Sequence, residues 1–202
     1  MSEDIIIGAD GKPRCVWAGV ADSPLALYHD KVWGTRTFKK PALFEALTLG
    51  VFQAGLSWLV VFGKREGFRR AFRDFDIAKV AAMGEIDVDR LVEDASIIRN
   101  RAKIEATIEN ARVMSSASPS LPALARSHET ARQRAPQSLT GLPVSTARAE
   151  SFARQLKTQG YRFVGPTSVY AFMQNVGVVN DHLHGCFRAS DYAKPPTRVH
   201  RH

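Results

Sequence analysis

Apolar residues recur every three or four positions along most of this chain, the period of helices buried along one face. Pro41 suits a first helical position, and Leu43, Phe44, Leu47 and Phe52 continue an apolar stripe from it. Lys64 to Phe75 predicts a second helix with Phe68 and Phe72 on one face, and Ile77 to Met83, Val88 to Asp94 and Ile98 to Val113 repeat the spacing. Ser145 or Thr146 can cap a further helix that stops near Gly160, and Ser168 to Val176 predicts the last. Period-two alternation is scarce. Tyr161 to Val164 is the best strand candidate and too short to carry a sheet. Ser115 to Leu142, rich in Ser, Pro and Ala, reads as a flexible connection holding one short helix, and residues 1–13 read as an unstructured leader. The pattern predicts an all-α protein.

Composition narrows the class. With 202 residues and 45% hydrophobic content, the chain can bury one generous core or two small lobes sharing one. No apolar run approaches the roughly 20 residues of a membrane span, and the first residues carry neither a basic start nor a signal-like apolar stretch. A cytoplasmic location is the expectation. Two cysteines do not build a disulfide framework, which leaves metal binding or burial for them.

The net charge of +8 is unevenly spread: residues 113–202 hold eleven Lys/Arg against four acids, whereas residues 1–112 are nearly balanced. A basic excess confined to one half, ending in a basic tail at 191–202, is what a phosphate-facing surface requires, although a soluble basic face would read the same. Val88 to Ile104 adds a second phosphate signal. It reads as a short helix, a tight apolar hairpin and a longer helix opening with Arg99, Arg101 and Lys103. In a helix-hairpin-helix, backbone N–H groups at a helix start receive a DNA phosphate without reading sequence. Such hairpins favour glycine for a positive φ; here Ser96 sits in the middle. Two packed helices with a solvated basic face would give the same pattern.

Zinc-type ligands stand at both ends of the chain: Cys15 and His29 near the start, His182 and Cys186 near the finish. Four residues apart, His182 and Cys186 would share one face of a helix. Cys₂His₂ is a closed tetrahedral zinc set, and here a metal would fasten the N-terminal segment to the C-terminal one. Two buried cysteines and two unrelated histidines fit the spacing equally well. His128, His184, His200 and His202 have no assembled partners and are expected on the surface.

Five motifs then fall in order: Cys15-Val16-Trp17, Tyr28-His29-Asp30-Lys31-Val32-Trp33-Gly34, Gln53-Ala54-Gly55-Leu56-Ser57-Trp58, Phe163-Val164-Gly165-Pro166-Thr167, and Val179-Asn180-Asp181-His182-Leu183-His184-Gly185-Cys186. With them the chain resembles the DNA 3-methyladenine glycosylase I family from about Arg14 to Cys186. The resemblance implies a helix-hairpin-helix glycosylase fold of two lobes over 14–190, acting as a monomer on double-stranded DNA that contains alkylated bases. It implies one structural zinc on Cys15, His29, His182 and Cys186, and removal of 3-methyladenine by hydrolysis of the N-glycosidic bond. Trp58 would stack on the base, Tyr28 would help hold it and Trp33 would form a neighbouring wall. Gly55 and Leu56 would sit beside the extruded nucleotide, and Arg99, Arg101 and Lys103 would clamp phosphates. Electron-rich rings suit this task, because N3-methylated adenine is a flat, delocalised cation.

Two positions depart from the family pattern. The glutamate expected three residues before Gln53 is Gly50, and an acid expected just before Trp33 is Val32. Losing an acceptor for a bound cation removes about 1.5–3 kcal/mol of charge-assisted contact. The departures therefore leave a rival reading: a homologue altered or inactive in catalysis that binds DNA or excises a bulkier lesion. Glu45 and Asp30 are the nearest carboxylates in sequence, with Glu45 off the face of Gly50. A third reading is a zinc-stabilised interaction domain without a nucleic-acid role.

Overall fold

The computed structural model describes residues 3–19, 23–129 and 134–190; the basic tail expected at 191–202, including His200 and His202, lies outside them. Ten α-helices are present among these residues: α1 (Pro24–Lys31), α2 (Lys40–Gln53), α3 (Trp58–Gly63), α4 (Arg65–Ala71), α5 (Ile77–Ala81), α6 (Glu85–Glu93), α7 (Arg101–Ser116), α8 (Leu121–Ser127), α9 (Ala147–Thr158) and α10 (Pro166–Asn175). None is long and apolar enough to cross a membrane. Helix α2 is the hub. It is apolar on all sides from Leu43 to Phe52 and buries that surface against α3, α7, α8 and α10. Helices α5 and α6 pack on α7, and α9 on α10.

Several sequence expectations change. Residues 3–13 are not an unstructured leader: β1 (Ile5–Ile7) pairs antiparallel with β2 (Pro13–Cys15), Ile5 opposite Cys15. This hairpin joins Leu183, Cys186 and Ala189 in a second small core, separate from the main one. The single helix expected from Lys64 to Phe75 ends at Ala71, because Arg73, Asp74 and Phe75 take positive φ and turn the chain so that Phe75 packs on Phe44 and Phe72. Tyr161 to Val164 forms no strand; Phe163 adopts φ +58° there. His182 and Cys186 lie in an irregular segment rather than on a helix. His128 is buried, not exposed, stacked on Phe152 at 4.5 Å with Gln155 beside its Nε2. Helices α1 and α3 carry too short an apolar pattern to have been read from sequence.

The helix-hairpin-helix is present as α6, a hairpin and α7. Its middle needs no positive φ at Ser96; instead Asp94 Oδ1 accepts from the Ser96 N–H at 2.8 Å, and Asn100 caps α7 by accepting from the Lys103 N–H. Helix α4 rests directly on this hairpin. A Cβ on Gly67 would stand 2.1 Å from the Ser96 carbonyl oxygen, whereas one on Gly50 would meet only Ser168 O at 3.9 Å. The two glycines should therefore respond oppositely to alanine. Gly67→Ala is expected to destabilise by about 1–3 kcal/mol as overpacking, and Gly50→Ala to stabilise by up to about 1 kcal/mol as relief of a mid-helix glycine. Urea denaturation of both variants checks this; equal midpoints would contradict the packing at Ser96.

Candidate active site and metal cluster

The segment bearing Cys186 reaches the N-terminal hairpin through backbone bonds, Phe187 N–H donating to Pro13 O and Leu183 N–H to Cys15 Sγ. There the ligand atoms of Cys15, His29 and Cys186 lie within 4.8 Å of one another, all buried, a group able to hold a metal ion. Cys186 Sγ stands 3.4 Å from His29 Nε2. The other imidazole nitrogen of His29 meets Asp30 Oδ1 at 2.8 Å, and Asp30 accepts two bonds from Arg14 at 2.9 and 2.7 Å. Burial would raise the Asp30 carboxyl, but the bonds from Arg14 and His29 outweigh it and hold it below the usual range. A carboxylate behind a histidine fixes the ring and aims the free nitrogen at a ligand site. The hydrogen bond from Cys15 pulls the Cys186 thiol down against the cost of burial, with His29 helping.

His182 stands beside this triad. Its ring centroid is 4.8 Å from that of His29, Nδ1 pairs with Asn180 Oδ1 at 2.8 Å, and the buried Nε2 has no hydrogen-bond partner. An orphaned ring nitrogen next to two thiols and a histidine completes a Cys₂His₂ donor set. Gly34 is what lets His182 approach: with φ +68°, a Cβ there would come within 2.7 Å of the imidazole.

The same histidines carry the wall of a cavity. Trp17 meets His29 edge-on at 5.1 Å and Trp33 at 5.0 Å, and Trp33 meets His182 at 4.5 Å. Trp17, Trp33 and Trp58 line a space of about 420 Å³, together with Gln53, Gln174 and Asn175. That volume falls within the usual range for small-ligand sites. Tyr28 does not line this space but backs it. It packs on Trp58 at 5.4 Å, lies under the Arg65 guanidinium at 5.5 Å and donates its hydroxyl to Asn175 Oδ1 at 2.8 Å. Burial pushes the Tyr28 hydroxyl well above its ordinary value, so it stays a donor. On the far side of Tyr28, Val32 lines a second, open cavity of about 680 Å³ with Leu27, Lys31 and Arg65.

Gly50 is buried in α2 and lines neither cavity. Glu45 is committed to Arg65 at 2.7 Å and Arg69 at 3.2 Å. At the cavity mouth the α2–α3 turn exposes Gly55, at φ +79°, and Leu56 at 42% of its surface.

The three basic residues of the hairpin part company. Arg99 is exposed, while Arg101 is ion-paired with Glu85, Asp89 and Glu105. Lys103 is buried. Its Nζ donates to Phe52 O at 3.0 Å and Ala54 O at 2.6 Å, closing the carbonyl end of α2 directly beneath the Leu56 turn. Its role in this structure is to position that turn. Sequence reasoning assigned no role to Trp17, Gln53, Gln174 or Asn175. The motifs contain the first two, but nothing in the α10 pattern marks the last two as cavity residues.

Burial, then the positive His29 and Arg188, lower the His182 pKa to about 3. An unfolded histidine titrates near 6.5. Between those values the unfolded chain binds the extra proton, so this group's contribution to stability is complete above about 6.5 and fades as pH falls. In metal-free protein, stability is expected to rise by on the order of 1–2 kcal/mol from pH 5 to pH 7 through this group. His182→Leu should flatten that rise in urea melts; an unchanged slope would count against a buried neutral imidazole.

Comparison with known proteins accords with this geometry. The methyladenine glycosylase family model matches residues 17–189. The DNA-3-methyladenine glycosylase 1 of Escherichia coli (strain K12) is 44% identical over 179 residues, covering 86% of this chain and 95% of that protein. A crystal structure of a 3-methyladenine DNA glycosylase I superposes with TM-score 0.80 at 42% identity, covering 87% of this chain and 99% of the other. A variant of a 3-methyladenine DNA glycosylase I solved in complex with 3-methyladenine superposes with TM-score 0.78 at 30% identity, over 85% and 95% of the two chains. The chain belongs to the methyladenine glycosylase family.

Proposed function

We propose that this protein is a DNA repair glycosylase that removes 3-methyladenine from alkylated duplex DNA. The observation that carries the reading is the cavity walled by three tryptophans beside an exposed apolar turn, in a chain of this family. An extruded N3-methylated purine is a flat cation. Indole faces attract it by about 0.5–2 kcal/mol each, and Leu56 fills the gap it leaves in the base stack. Tyr28 stiffens Trp58 from behind rather than touching the base. Arg99 and the N-terminal end of α7 face the phosphates, while Lys103 fixes the turn that bears Leu56.

The chemistry asks little of acid catalysis. The bond between the sugar C1′ and N9 breaks with its electron pair going to the ring, so the methylated base leaves neutral. The sugar passes through an oxocarbenium-like state close to the DNA phosphates; water adds at C1′ and loses a proton, leaving an abasic site. The protein's tasks are extrusion, stacking and exclusion of bulk water. Free 3-methyladenine should be released from methylated duplex DNA, and Trp58→Ala should slow release roughly 10–100-fold, the size of one lost stacking contact. No release by the unaltered protein at high concentration would refute the reading, and unimpaired release by the variant would remove Trp58 from it.

The metal in this reading is one structural zinc held by Cys15, His29, His182 and Cys186. Zinc–sulfur bonds of about 2.3 Å and zinc–nitrogen bonds of about 2.0 Å give a tetrahedral sulfur–nitrogen edge of about 3.5 Å. The 3.4 Å separation of Cys186 Sγ and His29 Nε2 supports that fit. Zinc would hold the two ends of the chain together and supply no step of the reaction. One equivalent is expected to co-purify, with chelation lowering the melting temperature. Elemental analysis showing no bound metal would strike the zinc from this account.

A further inference from the structure

The tryptophan cavity contains no charged side chain in its lining. Its polar side chains are Gln53, Ser57, Gln174 and Asn175. The two amides on α10 are each oriented from behind. Tyr28 donates its hydroxyl to Asn175 Oδ1 at 2.8 Å, which turns the Asn175 Nδ2 donors away from the tyrosine, where they have no protein partner. Gln174 Nε2 donates at 2.8 Å to Asp181 Oδ2, which also accepts from Tyr170 at 2.5 Å, and this leaves Gln174 Oε1 as a free acceptor. The cavity wall therefore offers a neutral N–H donor next to a neutral carbonyl acceptor.

Such a pair suits two purine edges. An adenine-type base gives its exocyclic amine to Gln174 Oε1 and takes Asn175 N–H on a ring nitrogen. A guanine-type base takes Asn175 N–H on its O6 carbonyl and gives its N1–H to Gln174 Oε1. A carboxylate in the wall would bind the amine and repel O6, but none of the lining residues carries one. The carboxylates behind the wall are engaged elsewhere: Asp181 with Tyr170 and Gln174, Asp30 with Arg14 and His29, and Glu45 with Arg65 and Arg69. The tryptophans sense the ring's positive charge, which N3 alkylation confers on either purine, and sense nothing of its exocyclic groups.

We infer that Asn175 is the base-identity reader of this protein and that the amide pair makes N3-alkylated guanine a substrate alongside N3-alkylated adenine. The inference rests on the excision reading above and goes beyond it in substrate class. Bond changes are the same for both bases: the C1′–N9 bond breaks toward the cationic ring, and water supplies the hydroxyl at C1′.

The test measures both free bases released from one sample of methylated duplex DNA, each relative to its content in that DNA. The unaltered protein should release 3-methylguanine within roughly tenfold of 3-methyladenine, less than the discrimination of a single charged contact. Asn175→Asp keeps the shape and the acceptor for Tyr28 but replaces the cavity donor with an anionic acceptor. It should lower the guanine-to-adenine release ratio by roughly tenfold or more. Because the ratio is internal to one digest, it does not depend on how much of the variant is folded, and the ratio of the unaltered protein stands alone should the variant not fold. Release of 3-methyladenine with 3-methylguanine more than about tenfold slower overturns the inference, as does a ratio unmoved by Asn175→Asp; either leaves the excision reading standing. Release of neither base overturns both.

Discussion

A buried guanidinium ties the two ends of this molecule together. Arg14, only 2% exposed, closes the N-terminal hairpin onto Asp10 and grips Asp30 on α1 with a forked pair of bonds. An arginine taken out of water this far requires both carboxylates, and they in turn remain ionised because of it. Asp30 then orients His29, His29 meets Cys186, and the hairpin that places Arg14 also places Cys15. The cysteine–histidine cluster is thus the end of a chain of charge-assisted hydrogen bonds rather than an isolated knot.

That cluster matters for function because its histidines are also the backing of the aromatic wall. Trp17 and Trp33 rest edge-on against His29 and His182, so anything that loosens the cluster loosens two of the three rings. The third, Trp58, is held from the opposite side by Tyr28 and Phe62. A binding slot for a flat cation is therefore built where the N- and C-terminal segments, α1 and α3 converge, with its rigidity drawn from polar contacts outside it.

The helical lobe contributes in a different manner. The hairpin between α6 and α7 is coupled to the Leu56 turn by Lys103, whose ammonium bridges from the first turn of α7 to the last carbonyls of α2. A lysine in that position has lost its use as a phosphate contact, since burial also lowers its pKa, but it makes the phosphate-facing helix and the wedge-bearing turn one rigid piece. The departure at Gly50 looks different in this light. It sits inside α2 against α10, and the polar groups at the cavity are contributed by α10 itself.

Local pattern carried the helical class, the register of α2, α7, α9 and α10, and the hairpin at 94–100, because each depends on spacing within a dozen residues. The identities of Cys15, His29, His182, Cys186, Trp33 and Trp58 were legible as motifs, since their residue types are scarce and chemically specific. Tertiary structure alone decided what separated residues do to one another. It turned the presumed leader into a strand pair through contact with residues about 170 positions away. It took His128 off the surface, Lys103 off the phosphates and Tyr28 out of the direct lining. It also brought Asn175 and Gln174 to the cavity with their amides already oriented. Periodicity reports which face of an element is buried, but hydrogen-bond direction and charge pairing depend on partners that only the closed fold brings within 3 Å.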